Sequence, residues 1–391
     1  MLLNTGYNQQ RNVRLGLSHP TPGRSLRASM ESITGSIRQT YLFSRAWTTL
    51  LYVVLLSSAP PPLTLRAWAQ AESGVTRPLR VENETGVDLL RAAANCTDGG
   101  SLDADWAGVI TLDTPISIAS GMFLSITGED TLAEVRGGNQ TRMFEVSRGG
   151  ELRLTTLTLS GGTETSGGAI YSDSAALILD SCIFDGNVAI DGSGGAVWAD
   201  GGNVTIVGGV FRGNNASHYG GAVGAMGARL VVQQGSIFDG NTALVGGALY
   251  CTGVNESALA RCSLNDTEFT SNNATAETEE TMSFDLDLSE GVEGGRAVAI
   301  LFASANIADS LFSGNHANHS GGALLGGNGT DITVNGCKFE NNAAGTYGGA
   351  IAAASMTLGG NTQLIGNKAC SNDETATSKS GASGGAVSAT E

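Results

Sequence analysis

Two short motifs recur along this chain on one period, and that recurrence limits its fold more than any other feature. Gly-Gly-Ala followed by an aliphatic residue stands at Gly167-Gly168-Ala169-Ile170, Gly194-Gly195-Ala196-Val197, Gly220-Gly221-Ala222-Val223 and Gly246-Gly247-Ala248-Leu249. It returns at Gly321-Gly322-Ala323-Leu324, Gly348-Gly349-Ala350-Ile351 and Gly384-Gly385-Ala386-Val387, with a variant at Gly294-Gly295-Arg296-Ala297-Val298. The starts are 27, 26, 26, 48, 27, 27 and 36 residues apart. Interleaved with them is F-x-x-N, at Phe184/Asn187, Phe211/Asn214, Phe238/Asn241, Phe269/Asn272, Phe312/Asn315 and Phe339/Asn342. Leu364/Asn367 is a degenerate seventh copy. Two motifs locked to one period define a repeat array.

A helical repeat would need apolar residues at 3.6 spacing over ten or more positions, and none is sustained here. The segments alternate with period two instead. Leu177, Leu179 and Phe184 in one copy correspond to Val204, Ile206 and Phe211 in the next, and to Ile332, Val334 and Phe339 later. After each Gly pair an inward aliphatic alternates with a mixed outer position (Tyr171, Trp198, Gly224, Tyr250) and then a small residue (Ser172, Ala199, Ala225, Cys251). Each unit therefore holds two or three short strands. Strands this short, without crossover helices, bury their faces best by coiling as a solenoid. The Gly pair supplies a positive-φ corner. The Asn of F-x-x-N tolerates a left-handed backbone and can bond to the Asn one coil away, while Phe stacks on Phe at about 4.8 Å. The expected fold is all-β, a right-handed parallel β-helix of 9–10 coils over residues 108–391. Its hand follows the general rule for parallel connections. Earlier alternating runs, Val109–Leu112, Ile116–Ile118, Phe123–Ile126 and Leu152–Leu159, belong to the same array. Residues 72–107 are expected to cap its first coil or lead into it, since an open coil exposes core and unpaired backbone. No cap is visible after the last motif, so the sequence is expected to be a fragment or to come from a truncated gene.

The paired motifs, over residues 150–391, resemble the repeats of the polymorphic outer-membrane protein family, surface adhesins and autotransporters of intracellular bacteria. The stretch from Ile116 to Gly161 resembles the opening coils of pectate-lyase-like β-helices more broadly. The resemblance implies a right-handed β-helix, a surface or secreted location, and adhesion rather than catalysis. One departure is the lack of a following β-barrel segment, which leaves self-transport through an outer membrane unsupported.

Residues 1–71 stand apart. They hold seven Arg against the single acid Glu31, then an apolar run Trp47–Leu56, then small-x-small sites at Ala67-Trp68-Ala69 and Ala69-Gln70-Ala71. That is the pattern of a secretory signal, with an uncleaved signal anchor as the alternative. The remainder carries 14 bases against 36 acids, a net charge of −22. Nucleic acid, which needs a cationic surface, is excluded as a partner class. Sequons occur at Asn83, Asn95, Asn139, Asn203, Asn215, Asn255, Asn265, Asn273, Asn318 and Asn328, all after the signal. They predict a glycosylated, secreted or cell-surface chain and suggest a eukaryotic carrier of the repeat.

The chain's other residues assign no catalytic centre, metal site or cofactor. Asp185 and Asp239 hold equivalent corners two coils apart, about 10 Å, too far for joint work on one bond in the retaining geometry. His218, His316 and His319 read as solvated corner residues. The long unit, with its insertion at about 252–293, carries Glu277, Glu279, Glu280, Asp285, Asp287, Glu290 and Glu293. That run is either a solvated acidic loop or a projection for Ca²⁺ or a partner. Cys251 and Cys262 belong to one coil and form the candidate disulfide. Cys182 and Cys337, five coils apart, fill core columns, and Cys96 and Cys370 are unassigned. The function expected is a non-catalytic, adhesin-like or structural β-helix that meets a surface protein or a glycan. A membrane would enter only through a retained signal anchor or a missing C-terminal segment. A polysaccharide lyase or glycoside hydrolase on the same scaffold is the alternative.

Overall fold

The computed structural model describes residues 78–254, 259–276, 297–327, 329–345, 348–353, 355–369 and 387–389. Residues 1–77, with the whole signal segment, lie outside the described residues, as do Asn255, Asn328, the acidic run 277–293, Gly294–Arg296, Cys370 and the Gly384–Gly385 pair. Alternating short strands close into a parallel β-solenoid. One lap runs through Ile170–Asp173, Ala176–Asp180, Ile183–Asp185 and Val188–Ala189. Each strand pairs in parallel with its equivalent one lap later, as Phe184 with Phe211 and Leu177 with Val204. The four strands of a lap thus generate four sheets, of 10, 11, 10 and 8 strands. The sequence pattern predicts two or three strands per lap. The fourth has only two residues, of which one faces inward, too few to show an alternation.

Register stacks like on like. The sheet that carries the Phe residues aligns Ile110, Val135, Leu159, Phe184, Phe211, Phe238, Phe269, Phe312, Phe339 and Leu364, one per lap. Its six Phe rings are fully buried and stacked nearly parallel, with centroids 4.6 to 4.9 Å apart. The rings follow the strand spacing and fill the column without gaps.

The corner after each Phe works differently from the sequence expectation. Positive φ falls on the residue before the Asn: Gly186, Gly213, Gly240, Ser271, Gly314, Asn341 and Gly366. The Asn itself points inward and forms a ladder. Asn214 Nδ2 donates to Asn241 Oδ1 (2.9 Å) and to the Phe184 carbonyl (3.1 Å), and its backbone N–H also donates to Asn241 Oδ1 (3.0 Å). The same set recurs from Asn187 to Asn342. Both amide hydrogens and both carbonyl lone pairs are used, the condition for burying a polar group at low cost.

The Gly pair also divides its labour. The first Gly takes positive φ, 64° at Gly167 and 67° at Gly194. The second lies against the next lap, where a Cβ on Gly195 would overlap the Gly221 carbonyl oxygen.

At the N-terminal end, the described part of the expected cap, residues 78–107, contains a helix as well as strands. Strand Leu79–Val81 and strand Gly100–Trp106 continue the 11-stranded sheet upstream. Between them, α1 (Glu84–Ala94) buries Val87, Leu90 and Ala94 over the first lap. Asn83 caps it, its side chain accepting from the Gly86 N–H at 3.1 Å. Arg91 ties it to the solenoid by donating to Asp113 Oδ1 (2.8 Å) and the Thr114 carbonyl (2.7 Å).

Cys251 and Cys262 are joined by a disulfide, with Cα atoms 6.8 Å apart, between adjacent strands of one lap. Both are buried. The bridge closes a loop of 11 residues in sequence. Chain-entropy arguments for so short a loop give about 3 kcal/mol, so reduction is expected to lower stability by about that much. Urea midpoints with and without reductant, read by circular dichroism, check this. An unchanged midpoint would show the bridge to be energetically idle.

Candidate binding surface

With the inner columns filled, function falls to the outward positions. The asparagines separate cleanly. The ladder residues Asn187, Asn214, Asn241, Asn272, Asn315 and Asn342 are buried. Among the described sequon residues, Asn83, Asn95, Asn139, Asn203, Asn215, Asn265 and Asn318 are exposed and Asn273 is half-buried. In the pairs Asn214-Asn215 and Asn272-Asn273, the first enters the ladder and the second faces out. No ladder Asn heads a sequon, because the position two residues on is an inward Ala, as at Ala189, Ala216, Ala243, Ala274, Ala317 and Ala344. An inward column that admits only a small apolar side chain leaves no Ser or Thr there.

The outer aromatics Tyr171, Trp198 and Tyr250 are buried to different degrees. Tyr171 and Trp198 are adjacent in register and half-buried, on the outer side of the Gly-Gly-Ala sheet. Tyr250, two laps on, is fully buried under a second apolar cluster with Val245, Ala299, Leu301 and Leu325. Tyr219 stacks on it at 4.6 Å. Burial raises both hydroxyl pKa values. Tyr219 precedes a Gly pair, off the strand pattern, so the periodicity gives no sign of its role. The open part of this face also carries charge. Asp173 and Asp200 are register neighbours. Arg148 pairs with Asp173 at 3.3 Å, and Arg142 sits over the Tyr171 ring, 5.1 Å from its centroid. Desolvation raises the Tyr171 pKa, and the Asp200 and Asp173 carboxylates push it the same way.

Asp185 and Asp239 lie on the outside of the Phe sheet, one lap to either side of Arg212. Asp185 receives Arg212 Nη2 at 2.9 Å, and Asp239 accepts from Thr270 Oγ1 at 2.8 Å. Each is held in a cross-lap pair rather than aimed at a shared point. His316 Nδ1 lies 3.2 Å from Asn273 Oδ1, and His319 Nδ1 lies 2.9 Å from Ser320 Oγ, while His218 stands beside Tyr219. Among the described residues, no three His, Cys, Asp or Glu side chains converge to hold a metal. A depression of about 170 Å³ beside α1 is lined by Glu84, Asp88, Arg91, Asp113 and apolar neighbours. Its Arg91 and Asp113 are the tie between helix and solenoid.

Cys182 and Cys337 are buried free thiols, each donating to a backbone carbonyl, and Cys96 is half-buried. Burial pushes the Cys182 thiol up to about 12. Such a thiol stays protonated and inert at neutral pH.

No helix of the described residues is long and apolar enough to cross a membrane. Three stretches of the chain, residues 181–200, 235–252 and 309–327, match the Chlamydia polymorphic membrane protein repeat. Each holds one complete F-x-x-N motif and the Gly-Gly-Ala motif that follows it. No curated protein and no solved structure matches the chain.

Proposed function

We propose that this chain is an exported, surface-displayed β-solenoid that binds a partner without chemically altering it. Its glycans stand on outward-facing asparagines of strands and corners, and its adhesive contacts lie along the outer sheet faces. The observation that carries this is the sorting of asparagines. Residues of one chemical type divide into an inward ladder that needs every amide atom and an outward set that heads sequons. A glycan requires a free, exposed amide nitrogen. The repeat matches support the same reading, since that repeat belongs to surface β-helix proteins.

Expression of the full chain in a eukaryotic secretory host tests it. We expect protein in the medium that begins near Gln70 or Glu72 and loses mass on treatment with an N-glycosidase. Beads coated with it should attach to cultured cells, and it should leave polygalacturonate and alginate intact with or without EDTA. An unglycosylated product retained in the cell would refute export. Metal-dependent depolymerisation would replace the binding role with catalysis.

A further inference from the structure

The open part of the Gly-Gly-Ala face carries a feature that the repeat does not require. Outer positions of this column hold Glu145, Tyr171, Trp198, Gly224 and Tyr250 in successive laps. Gly224 sits there without positive φ, so the backbone does not demand it. Space does. A Cβ on Gly224 would overlap Cε3 and Cζ3 of Trp198. The indole therefore lies along the outside of the sheet, over the next lap's backbone, instead of projecting into water. Trp198 is half-buried, packing on one side against the covered cluster around Tyr250.

Polar groups flank this ring. Asp200 is two residues from Trp198 on the same strand and the same side, about 7 Å along it. Its carboxylate has no hydrogen bond or ion pair among the described residues, whereas Asp173 beside it is held by Arg148. Tyr171 is the register neighbour of Trp198 one lap back, on the side away from Gly224, with the Arg142 guanidinium over its ring. A flat apolar ring edged by an uncommitted acceptor and a hydroxyl suits a molecule with an apolar C–H face and a rim of hydroxyl donors. A pyranose sugar has that character. Aromatic rings give contact area at little entropic cost, and a carboxylate accepts strong bonds from hydroxyls. Acidic sugars would face Asp173, Asp200, Glu145 and the chain's overall negative charge.

We propose that Trp198, lying over Gly224, is the stacking platform of a binding site for a neutral oligosaccharide, with Asp200 and Tyr171 bonding to its hydroxyls. This rests on the surface-binding function above and names its ligand class.

The test titrates the full chain with neutral β-linked glucose and N-acetylglucosamine hexamers, following protection of Trp198 fluorescence from acrylamide. The Trp198→Phe chain serves as the blank and subtracts the signal of Trp47, Trp68 and the fully buried Trp106. We expect saturable protection by at least one hexamer, and binding by calorimetry that is at least about 10-fold weaker in Trp198→Ala and in Gly224→Ala. Gly224→Ala keeps the indole and changes only its placement. Asp200→Asn should weaken binding less. Circular dichroism matching the wild type confirms that each variant folds. Failure of every neutral hexamer to protect, or wild-type affinity in Trp198→Ala, would overturn the site.

Attachment of coated beads separates this from the broader function. Undiminished attachment by Trp198→Ala would dismiss the saccharide platform and leave the adhesive role standing. Saccharide binding by wild-type chain whose beads do not attach to cells would do the reverse.

Discussion

Asn241→Ala should unfold the solenoid far more readily than any surface substitution of the same kind. Asn241 Oδ1 accepts from the Asn214 backbone N–H at 3.0 Å and from Asn214 Nδ2 at 2.9 Å. Its own Nδ2 donates to the Phe211 carbonyl and to Asn272 Oδ1, both at 3.0 Å. Alanine would strand two donors and a carbonyl in a fully buried corner, with no route for water along the filled column. Each orphaned buried group costs about 1–3 kcal/mol, which places the total near 4 kcal/mol. Asn241→Asp is a sharper probe. It keeps the shape but cannot donate, and it buries a charge, so it should be at least as damaging. The neighbouring pair gives the control. Asn215 is exposed, so Asn215→Ala should change stability by less than about 0.5 kcal/mol. Urea denaturation followed by circular dichroism reads all three. Equal midpoints for Asn241→Ala and Asn215→Ala would mean that the ladder does not hold the corners.

Gly221→Ala should cost as much or more, for a purely steric reason. A Cβ there would overlap the carbonyl oxygens of Gly247 and Thr242 in the next lap. Both are backbone atoms of the next lap, one in the strand Thr242–Ala243 and one in the corner before Leu249, so relief requires separating two laps across several hydrogen bonds. We expect roughly 4 kcal/mol or more, the range reserved for a short list of severe mechanisms. Gly240→Ala provides the contrast. Gly240 has φ +61°, and a Cβ added to it would meet nothing within 4 Å. Its loss is only the left-handed backbone penalty, about 1 to 2 kcal/mol. The two substitutions add the same methyl group, so their difference measures how closely the laps approach. Should Gly240→Ala prove the worse of the two, the close approach at the second Gly would not be what sets the spacing.

Much of this architecture is legible from spacing alone. Phe184, Phe211 and Phe238 share a period and an inward side, so their stack follows once the chain is known to coil. The Ala column two residues beyond each ladder Asn could be read in the same way. Other features escape because they do not repeat. The α1 helix occurs once; its sequence signal is Asn83 followed by Val87, Leu90 and Ala94 at helical spacing. Tyr250 occupies the same alternating position as Tyr171 and Trp198, yet it is buried, because Tyr219 and Val245 come from corners outside the strand pattern. For the corner Asn, the sequence motif located the amide but not its backbone state. The left-handed conformation passes to the residue before it, most often a Gly, which bears no Cβ to strain.

The amino-acid order alone settled the lap length, the parallel stacking and which side chains fill the interior, since identical laps must superpose and any inward residue meets its own kind above and below. Tertiary structure alone decided what the exterior offers: which of two adjacent asparagines turns outward, where an aromatic is covered, and that the Trp198 indole lies over Gly224. Those outcomes depend on contacts between different laps and on the irregular segments joining them, and a period carries no information about either.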